Sequence, residues 1–352
     1  MTGCCEYVDI NGHTKTVFQC LCACDEVDAT FDALLRGEKI KENAWDRVIT
    51  VISDRVRIPW FGGARRISGF ALLCPLLLSL FLFVGSFSFV ATLVTTTTCM
   101  LGGPVMISVK SMRSVRLARM HILFYWTYWS IAFVIREYFS SLRNDLSSRV
   151  VVASCDSLIF LLVFVAWKLQ TIDPGMTKTT LMPIAHDAMG LLNFYISHKS
   201  MRLKYCRITG ASVRRYDHYC IWISKPIGAA NHRLFILFLF LLSLGGTVFV
   251  ALKLSVHYGR MPSFLSVVYS NNLSNYSVVI TCYVCLASAG IVALLVHQLF
   301  LIGRNLTSYE AKHFPQLAKC DLSWRENCCE DEGFVRNCIH FWRDNEKGRY
   351  VI

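Results

Sequence analysis

The residues best suited to chemistry in this sequence are an aspartate, a histidine and a cysteine that stand within four positions. They form the run Asp217-His218-Tyr219-Cys220, on a polar stretch just before a very apolar segment. Cysteine attacks carbon as the thiolate, so it needs a base nearby. His218 can accept the thiol proton, and Asp217 can orient His218 and favour its cationic form. The run predicts a nucleophilic cysteine, although three such residue types also meet by chance, so the surrounding sequence must decide.

The composition is that of a membrane protein rather than a soluble one. The 352 residues are 54% hydrophobic and only 17% charged, with a mean hydropathy of +0.43, which is too apolar for a soluble globule of this size. The net charge of +12 indicates cytosolic loops that face anionic lipid. Nucleic acid is the alternative partner for such a charge, and nothing else in the sequence favours it. Residues 1–66 begin polar and hold no apolar core, so no signal peptide is expected.

Six apolar segments predict an all-α multi-pass membrane protein of about six transmembrane helices. Residues 67–109 carry no charge. As one helix they would extend about 65 Å, twice the roughly 30 Å apolar core of a bilayer, so they are expected to cross twice with a turn near residues 85–88. The other spans are predicted at residues 121–139, 150–169, 234–252 and 278–302.

These spans divide the chain into five regions. They are a cytosolic N-terminal region (residues 1–66), four transmembrane helices (67–170), a small cytosolic catalytic domain (171–233), two further transmembrane helices with a lumenal loop (234–302) and a cytosolic tail (303–352).

The distribution of positive charge predicts which side of the membrane each loop faces. Residues 110–119 carry four basic residues and no acidic one. With six spans, this loop, both termini and the run at Cys220 share one side, which the positive-inside rule makes the cytosol. Five spans would place the basic loop in the lumen. The glycosylation sequons at Asn272 and Asn275 then fall in the loop assigned to the lumen.

Around Cys220 the sequence resembles the DHHC family of protein S-acyltransferases, in a variant with tyrosine in place of the second histidine. The family pattern continues with a tryptophan, then Gly-x-x-Asn, then Asn-x-Arg-x-Phe at the start of a transmembrane helix. The matching residues here are Trp222, Gly228, Asn231, Arg233 and Phe235.

Three further motifs extend this resemblance over roughly residues 170–342. Asp173, Pro174 and Gly175 match the family's Asp-Pro-Gly motif after the preceding span. Thr307 to Glu310 is similar to the Thr-Thr-x-Glu motif after the last span, with serine as the second residue, and Asn337 belongs to an element similar to the family's C-terminal Asp-x-Gly…Asn. An ordinary turn also explains the first motif, and a helix N-cap with a first-turn acid explains the second. Asn231 and Asn337 are expected to be structural in either case.

The resemblance implies a two-step acyl transfer. Cys220 would take a fatty acyl group from palmitoyl-CoA and pass it to a cysteine of a cytosolic or membrane protein, with His218 as base and then acid, and Asp217 orienting it. Acyl-CoA would be a co-substrate, with no bound cofactor. The family is usual in the Golgi and the endoplasmic reticulum. Because CoA is anionic, the basic residues near the site are candidates for binding its phosphates, namely Arg214, Arg215, Lys225 and Arg233.

The sequence departs from the family at the residues that hold two structural zinc ions. Aligned on Cys220, the columns of one site read Leu192, Tyr195, Tyr205 and Ser212, and those of the other read Cys206, Thr209, Tyr219 and Pro226. Zinc needs four ligands, commonly Cys or His, and only Cys206 is of that type. The sequence therefore predicts no metal, and packing of apolar and aromatic side chains would replace the cross-links, through Phe194, Tyr195, Tyr205, Tyr216, Tyr219 and Trp222.

Two other functions stay open from the sequence. The first is an inactive relative that acts as a scaffold or accessory subunit of another acyltransferase, because losing zinc sites can cost folding energy. Retention of Asp217, His218 and Cys220 favours activity. The second is a transporter or channel, which is less favoured because the spans are nearly free of charge and no clear internal repeat is seen. Protein substrates, acyl-chain length, the organelle and the oligomeric state are not indicated.

Overall fold

The chain divides into two compact units, described from a computed structural model. The first comprises Met1–Val134 with Leu265–Ile280, and the second comprises Ile135–Phe264 with Thr281–Ile352. The run at Cys220 lies in the second. The structure describes residues 6–8, 12, 14–16, 25–39, 44–55, 57–59, 64–66, 69–108, 116–177, 202–258, 272–313 and 332–343.

Over its described residues, the first unit contains two short hairpins and five helices. Its strands form two antiparallel pairs, β1 (Glu6–Val8) with β2 (Thr14–Thr16) and β3 (Arg57–Ile58) with β4 (Arg65–Arg66). Its helices are α1 (Asp25–Leu35), α2 (Ala44–Arg55), α3 (Gly69–Gly85), α4 (Phe89–Ser108) and α5 (Arg116–Glu137), the last of which ends in the second unit.

The predicted turn near residues 85–88 is confirmed, because α3 ends at Gly85 and α4 begins at Phe89. A Cβ atom at Gly85 would lie 2.7 Å from Thr95 Oγ1, so only glycine allows α4 to return this closely. Threonine hydroxyls along α4 donate to the carbonyl four residues earlier, as from Thr96 to Thr92 at 2.7 Å. These bonds satisfy hydroxyls that would be costly in an apolar setting.

The second unit combines long helices with small antiparallel sheets. After α5 the chain continues through a π-helical turn at Tyr138–Leu142. The strands form a three-stranded sheet of order β5-β7-β6 and a two-stranded β8-β9 hairpin. Its elements are α6 (Arg143–Asp145), α7 (Arg149–Thr171), β5 (Met176–Thr177), β6 (Lys204–Cys206), β7 (Ala211–Val213), β8 (His218–Cys220), β9 (Lys225–Ile227), α8 (His232–Lys253), a π-helical turn (Leu254–Tyr258), α9 (Asn272–Gly303, which begins in the first unit), α10 (Ser308–His313) and α11 (Phe334–Arg343).

The chain is a mostly helical membrane protein. Over the residues that the structure describes, α7, α8 and α9 are long and apolar enough to cross a bilayer, while α3 and the described part of α4 are apolar but shorter. α5 covers most of the remaining predicted span. The count of six spans and the side of the membrane that each loop faces stay predictions.

Two features differ from the sequence-based expectation. The segment assigned to an all-α fold contains five strands of two or three residues, from β5 to β9, which are too short to produce a readable alternation of apolar and polar residues. α9 begins at Asn272, so the sequons at Asn272 and Asn275 lie in its first turns rather than in a loop.

Candidate active site

The β8-β9 hairpin places the predicted nucleophile and base on the same side of one strand. His218 and Cys220 are two residues apart in β8, and side chains alternate along a strand, so both point the same way. The chain reverses through residues 221–224, where Ser224 takes the left-handed conformation with φ of 51°. Cys220 is only 5% exposed. The strand therefore places the thiol of Cys220 and the imidazole of His218 side by side.

His218 bonds to Asp217 and interacts with Cys220. Its Nδ1 atom donates to Asp217 Oδ2 over 2.6 Å, because a carboxylate only accepts, and this leaves Nε2 for the hydrogen bond with Cys220. Burial lowers the pKa of His218, but the hydrogen bonds to Asp217 and Cys220 outweigh it and raise the pKa to about 10. The imidazole is therefore a cation at neutral pH, and a cation beside a thiol favours the reactive thiolate.

Asp217 is buried and held by donors from two helices, α9 and α10. Its Oδ1 accepts from the Ser308 backbone N–H at 2.6 Å, and its Oδ2 accepts from the Ser308 hydroxyl at 2.9 Å and from Gln298 Nε2 at 3.3 Å. Burial raises the pKa of Asp217, yet the hydrogen bonds and the positive charge of His218 hold it well below its usual range. The carboxylate stays charged and fixed toward His218.

The Thr-Ser-Tyr-Glu motif positions Ser308 through a capping box. The Thr307 N–H donates to Glu310 Oε2 at 2.8 Å, and the Glu310 N–H donates to Thr307 Oγ1 at 3.2 Å. Arg202 Nε donates to Glu310 Oε1 at 2.6 Å. Burial raises the pKa of Glu310, but the opposing effect of Arg202 is larger, so the pKa lies below its ordinary value. The helix-cap interpretation agrees with these bonds, and the same cap presents Ser308 to Asp217.

The Asp-Pro-Gly motif forms a turn that connects the end of α7 with the start of α8. Asp173 Oδ1 accepts from the backbone N–H groups of Gly175 at 2.6 Å and Met176 at 2.8 Å. Gly175 has a φ of 96°, which only glycine adopts readily. The Pro174 carbonyl accepts from Ala230 N at 3.4 Å.

Asn231 has the structural role predicted for it at the base of the β8-β9 hairpin. It is fully buried, its Oδ1 accepts from Gly228 N at 2.8 Å, and its Nδ2 donates to the Pro226 carbonyl at 2.9 Å. The amide therefore ties β9 to the first turn of α8.

Gly228 is required by close packing, so Gly228→Ala is expected to destabilise the site. An added Cβ would lie 2.4 Å from Val213 Cγ1, 2.7 Å from the Pro174 carbonyl oxygen and 2.8 Å from the Arg214 carbonyl oxygen. Because two of these atoms are backbone, we expect a loss of about 1–3 kcal/mol in the free energy of unfolding. Thermal unfolding in detergent measures it, with Gly290→Ala as control, since nothing lies within 4 Å of that position. Equal unfolding temperatures of Gly228→Ala and wild type would contradict this account.

Lys225 is hydrogen-bonded to the end of a helix. It stands directly across the hairpin from Cys220. Its ammonium group donates to the carbonyl oxygens of Leu169, Gln170 and Ile172 at the end of α7, at 2.7 Å for Gln170. An ammonium has three hydrogens, so these bonds use all of them, and Lys225 tethers the hairpin to α7.

The three arginines predicted to meet phosphate lie in different surroundings. Arg215 donates to Asn305 Oδ1 at 3.2 Å and lies 5.5 Å from the centre of the Phe341 ring. Arg233 Nε donates to the Phe341 carbonyl at 2.5 Å. Arg214 is half-buried, and its Nε has no hydrogen-bond partner among the described residues. The structure thus brings Arg215 and Arg233 to one aromatic side chain of α11.

Among the described residues at the expected zinc positions, only Cys206 is of a type that commonly binds zinc. Tyr205 is the cross-strand partner of Ser212, and Tyr219 is the partner of Pro226, so each hairpin pairs two residues of one expected ligand set. Tyr219 Oη lies 3.2 Å from Ser224 Oγ. Over the described part of the chain, no three His, Cys, Asp or Glu residues come together as a metal site. Outside the described residues lie Leu192, Phe194 and Tyr195.

Among the remaining motif residues, Asn337 caps a helix and Trp222 is half-buried after β8. Asn337 Nδ2 donates to the Gly303 carbonyl at the end of α9 at 2.9 Å, and its Oδ1 accepts from Glu332 N at 3.1 Å. Sequence analysis assigned no function to Gln298, which the structure brings to Asp217. The available signal was a polar side chain in an apolar span, which usually faces the helix bundle.

Comparison with known proteins agrees with this geometry. Residues 194–314 match the family model of the DHHC palmitoyltransferase. The chain is 26% identical to palmitoyltransferase ZDHHC23 of Mus musculus, over 96% of this chain and 92% of that protein. The human protein of the same name is also 26% identical, over 88% of each chain. Palmitoyltransferase AKR1 of Yarrowia lipolytica is 34% identical over 32% of this chain and 15% of its own length.

Proposed function

Because this chain belongs to the DHHC-type protein S-acyltransferase family, we propose that it is a protein S-palmitoyltransferase whose acyl carrier is Cys220. The observation that carries the proposal is the hydrogen-bonded line from Asp217 through His218 to the buried thiol of Cys220. This line joins an orienting anion, a proton carrier and a nucleophile in the order that covalent acyl transfer needs.

In the first step, Cys220 accepts the acyl group. In the resting enzyme His218 already holds the thiol proton as an imidazolium, and the Cys220 thiolate attacks the carbonyl carbon of palmitoyl-CoA. The new carbon–sulfur bond forms as the bond to the CoA sulfur breaks, and the CoA sulfur leaves with the proton from His218. Asp217 stabilises the imidazolium between these events, because its charged Oδ2 stays 2.6 Å from Nδ1.

In the second step, a cysteine of a protein substrate takes the acyl group. His218 accepts the proton of the acceptor thiol, whose sulfur then attacks the acyl carbon. The Cys220 sulfur leaves as the thiolate beside the His218 imidazolium, so the enzyme returns to its starting state. Acyl-CoA and protein substrates with accessible cysteines are therefore the partners of the reaction, and membrane lipid surrounds the apolar helices.

The position of the hairpin suits a donor with an apolar tail and an anionic head. The hairpin directly precedes α8, whose outer side chains are apolar, so the acyl chain enters among helices while the CoA phosphates meet arginine. Arg214, whose Nε has no partner within the described part of the chain, leads this set, and Arg215 and Arg233 join it beside Phe341. Lys225 is left out because its hydrogens are donated to α7.

We place the active site and both termini in the cytosol, with six transmembrane spans in an endomembrane such as the Golgi or the endoplasmic reticulum. The support is the basic loop at residues 110–119 together with the positive-inside rule. Whether the enzyme works as a homo-oligomer or with an accessory subunit stays open.

The catalytic domain is proposed to be stable without zinc, so purified active protein is expected to contain far less than one zinc per chain. Packing of Tyr205 on Ser212 and of Tyr219 on Pro226 would replace the metal cross-links. Elemental analysis by mass spectrometry measures the metal content, and a chelator should leave acyl transfer unchanged. Two zinc ions per chain, with activity lost on chelation, would contradict the proposal.

The test of the function is direct detection of the acyl-enzyme. Full-length protein purified in detergent is supplied with palmitoyl-CoA, digested and examined by mass spectrometry. We expect a palmitoyl adduct on Cys220 that hydroxylamine removes and that a peptide with an acceptor cysteine discharges. Absence of the adduct in folded protein would favour the scaffold function instead.

A further inference from the structure

A buried polar pair lies behind the catalytic aspartate. Gln298 of α9 is 2% exposed and His232 of α8 is 3% exposed. Gln298 Nε2 donates to Asp217 Oδ2 at 3.3 Å and to the Ser308 hydroxyl at 2.9 Å. His232 Nε2 lies 3.1 Å from Gln298 Oε1. The pair therefore connects two membrane-spanning helices to the site.

The hydrogen positions in this chain follow from what each group can do. A charged carboxylate only accepts, so the Gln298 amide must turn its NH₂ group toward Asp217. Its oxygen then faces His232, whose Nε2 must donate. The other ring nitrogen, His232 Nδ1, is buried and has no hydrogen-bond partner among the described residues. A neutral imidazole protonated on Nε2 satisfies every contact, and the hydrogen bonds then run in one direction, from His232 to Gln298 to Asp217.

We propose that Gln298, oriented by His232, is a positioning residue that holds the Asp217 carboxylate toward His218 during acyl transfer. This inference rests on the proposed function. Gln298 does not touch the reacting sulfur and acts through Asp217. The two hydrogens of its amide fix both Oδ2 and the Ser308 hydroxyl that donates to the same oxygen. Without them, the carboxylate loses one donor directly and the orientation of a second.

The first test is Gln298→Met, which keeps the length of the side chain and removes the donors. We expect the rate of acyl-enzyme formation on Cys220 to fall about 10- to 100-fold, the effect of losing hydrogen bonds to a charged group. His232→Phe keeps the ring that packs edge-on against Phe341 at 5.1 Å and removes the donor, so a smaller loss is expected. His297→Leu is the control, since His297 is the neighbouring residue of α9 and is exposed.

A second variant separates positioning from a purely structural role by its pH profile. In Gln298→Glu, an ionised carboxylate would face Asp217. The other ionisable groups close enough to interact with this pair are His218, Arg215 and the neutral His232. The protonated form can donate to Asp217 as the amide does. Activity relative to wild type should therefore recover as the pH falls, within a single preparation, while Gln298→Met stays low at every pH.

The outcomes distinguish this inference from the function on which it rests. If wild type forms no adduct on Cys220, the proposed function fails. If wild type forms it and Gln298→Met forms it equally fast, only the positioning role fails. Should Gln298→Met not fold, the Gln298→Glu profile decides, because a ratio to wild type that does not change with pH overturns the proposal.

Discussion

Cys220→Ser and Cys220→Ala are expected to abolish acyl transfer while the protein keeps its fold. The Cys220 thiol is the proposed acyl carrier, and removing the nucleophile of a catalytic unit costs on the order of 10⁴-fold or more in rate. Cys220 is nearly buried within β8, and either replacement fits the same space. Incorporation of a clickable palmitate analogue into enzyme and substrate, before and after hydroxylamine, measures the loss.

The control must account for the other cysteines, because cysteines near the membrane can themselves be acylated. Cys338 on α11 is half-buried and unpaired by disulfide, and Cys338→Ala is expected to keep full transfer to substrate. If label remains on Cys220→Ser at the level of wild type, it came from other cysteines, and the scaffold function gains. Equal melting temperatures of wild type and Cys220→Ser would show that the fold is intact.

The features that sequence analysis predicted correctly are those determined by neighbours in the chain. The Asp173 turn needs only the next three residues, and the capping box of Thr307 and Glu310 spans four. The turn after Gly85 follows from the thickness of a bilayer. In each case a local rule of geometry or hydrogen bonding is sufficient.

The contacts that sequence analysis missed join residues far apart in the chain. Gln298 reaches Asp217 across 81 residues, and Arg202 reaches Glu310 across 108. No periodicity or spacing indicates such pairs, because they depend on how α9 and α10 pack against the hairpin. Lys225 shows the same limit, because nothing in the local sequence indicated its bonds to the carbonyl groups at the end of α7.

The strands of the catalytic segment show why the expected loss of metal does not by itself predict loss of the site. Four residues in the expected zinc columns form two cross-strand pairs, Tyr205 with Ser212 and Tyr219 with Pro226, and such pairs are units of sheet stability. Lys225 and Gln170 add bonds between the hairpin and α7, with Gln170 Nε2 donating to the Ile223 carbonyl at 3.0 Å. The hairpin is therefore held by the rest of the second unit.

His218→Ala is expected to reduce acyl transfer at neutral pH almost as much as loss of Cys220, because the residues of such a unit act together. The variant loses the cation that favours the thiolate and the group that returns a proton to the leaving sulfur. A free thiol ionises at about pH 8.5. Because the thiolate is the nucleophile, the small remaining activity should rise as the pH increases. In wild type, the raised pKa of His218, about 10, keeps the cation present across the neutral range.

The same substitution has an opposite pH dependence in stability, which separates catalysis from folding. His218 has a higher pKa in the folded protein than the ordinary histidine value, so its contribution to stability is fully present below about pH 6.5. That contribution is lost as the pH rises through about 10. The difference in unfolding temperature between wild type and His218→Ala should therefore shrink at alkaline pH. The control variant is His340→Ala, at an exposed pair with Glu332, which should keep full activity. Full transfer by folded His218→Ala at neutral pH would remove the base from the mechanism.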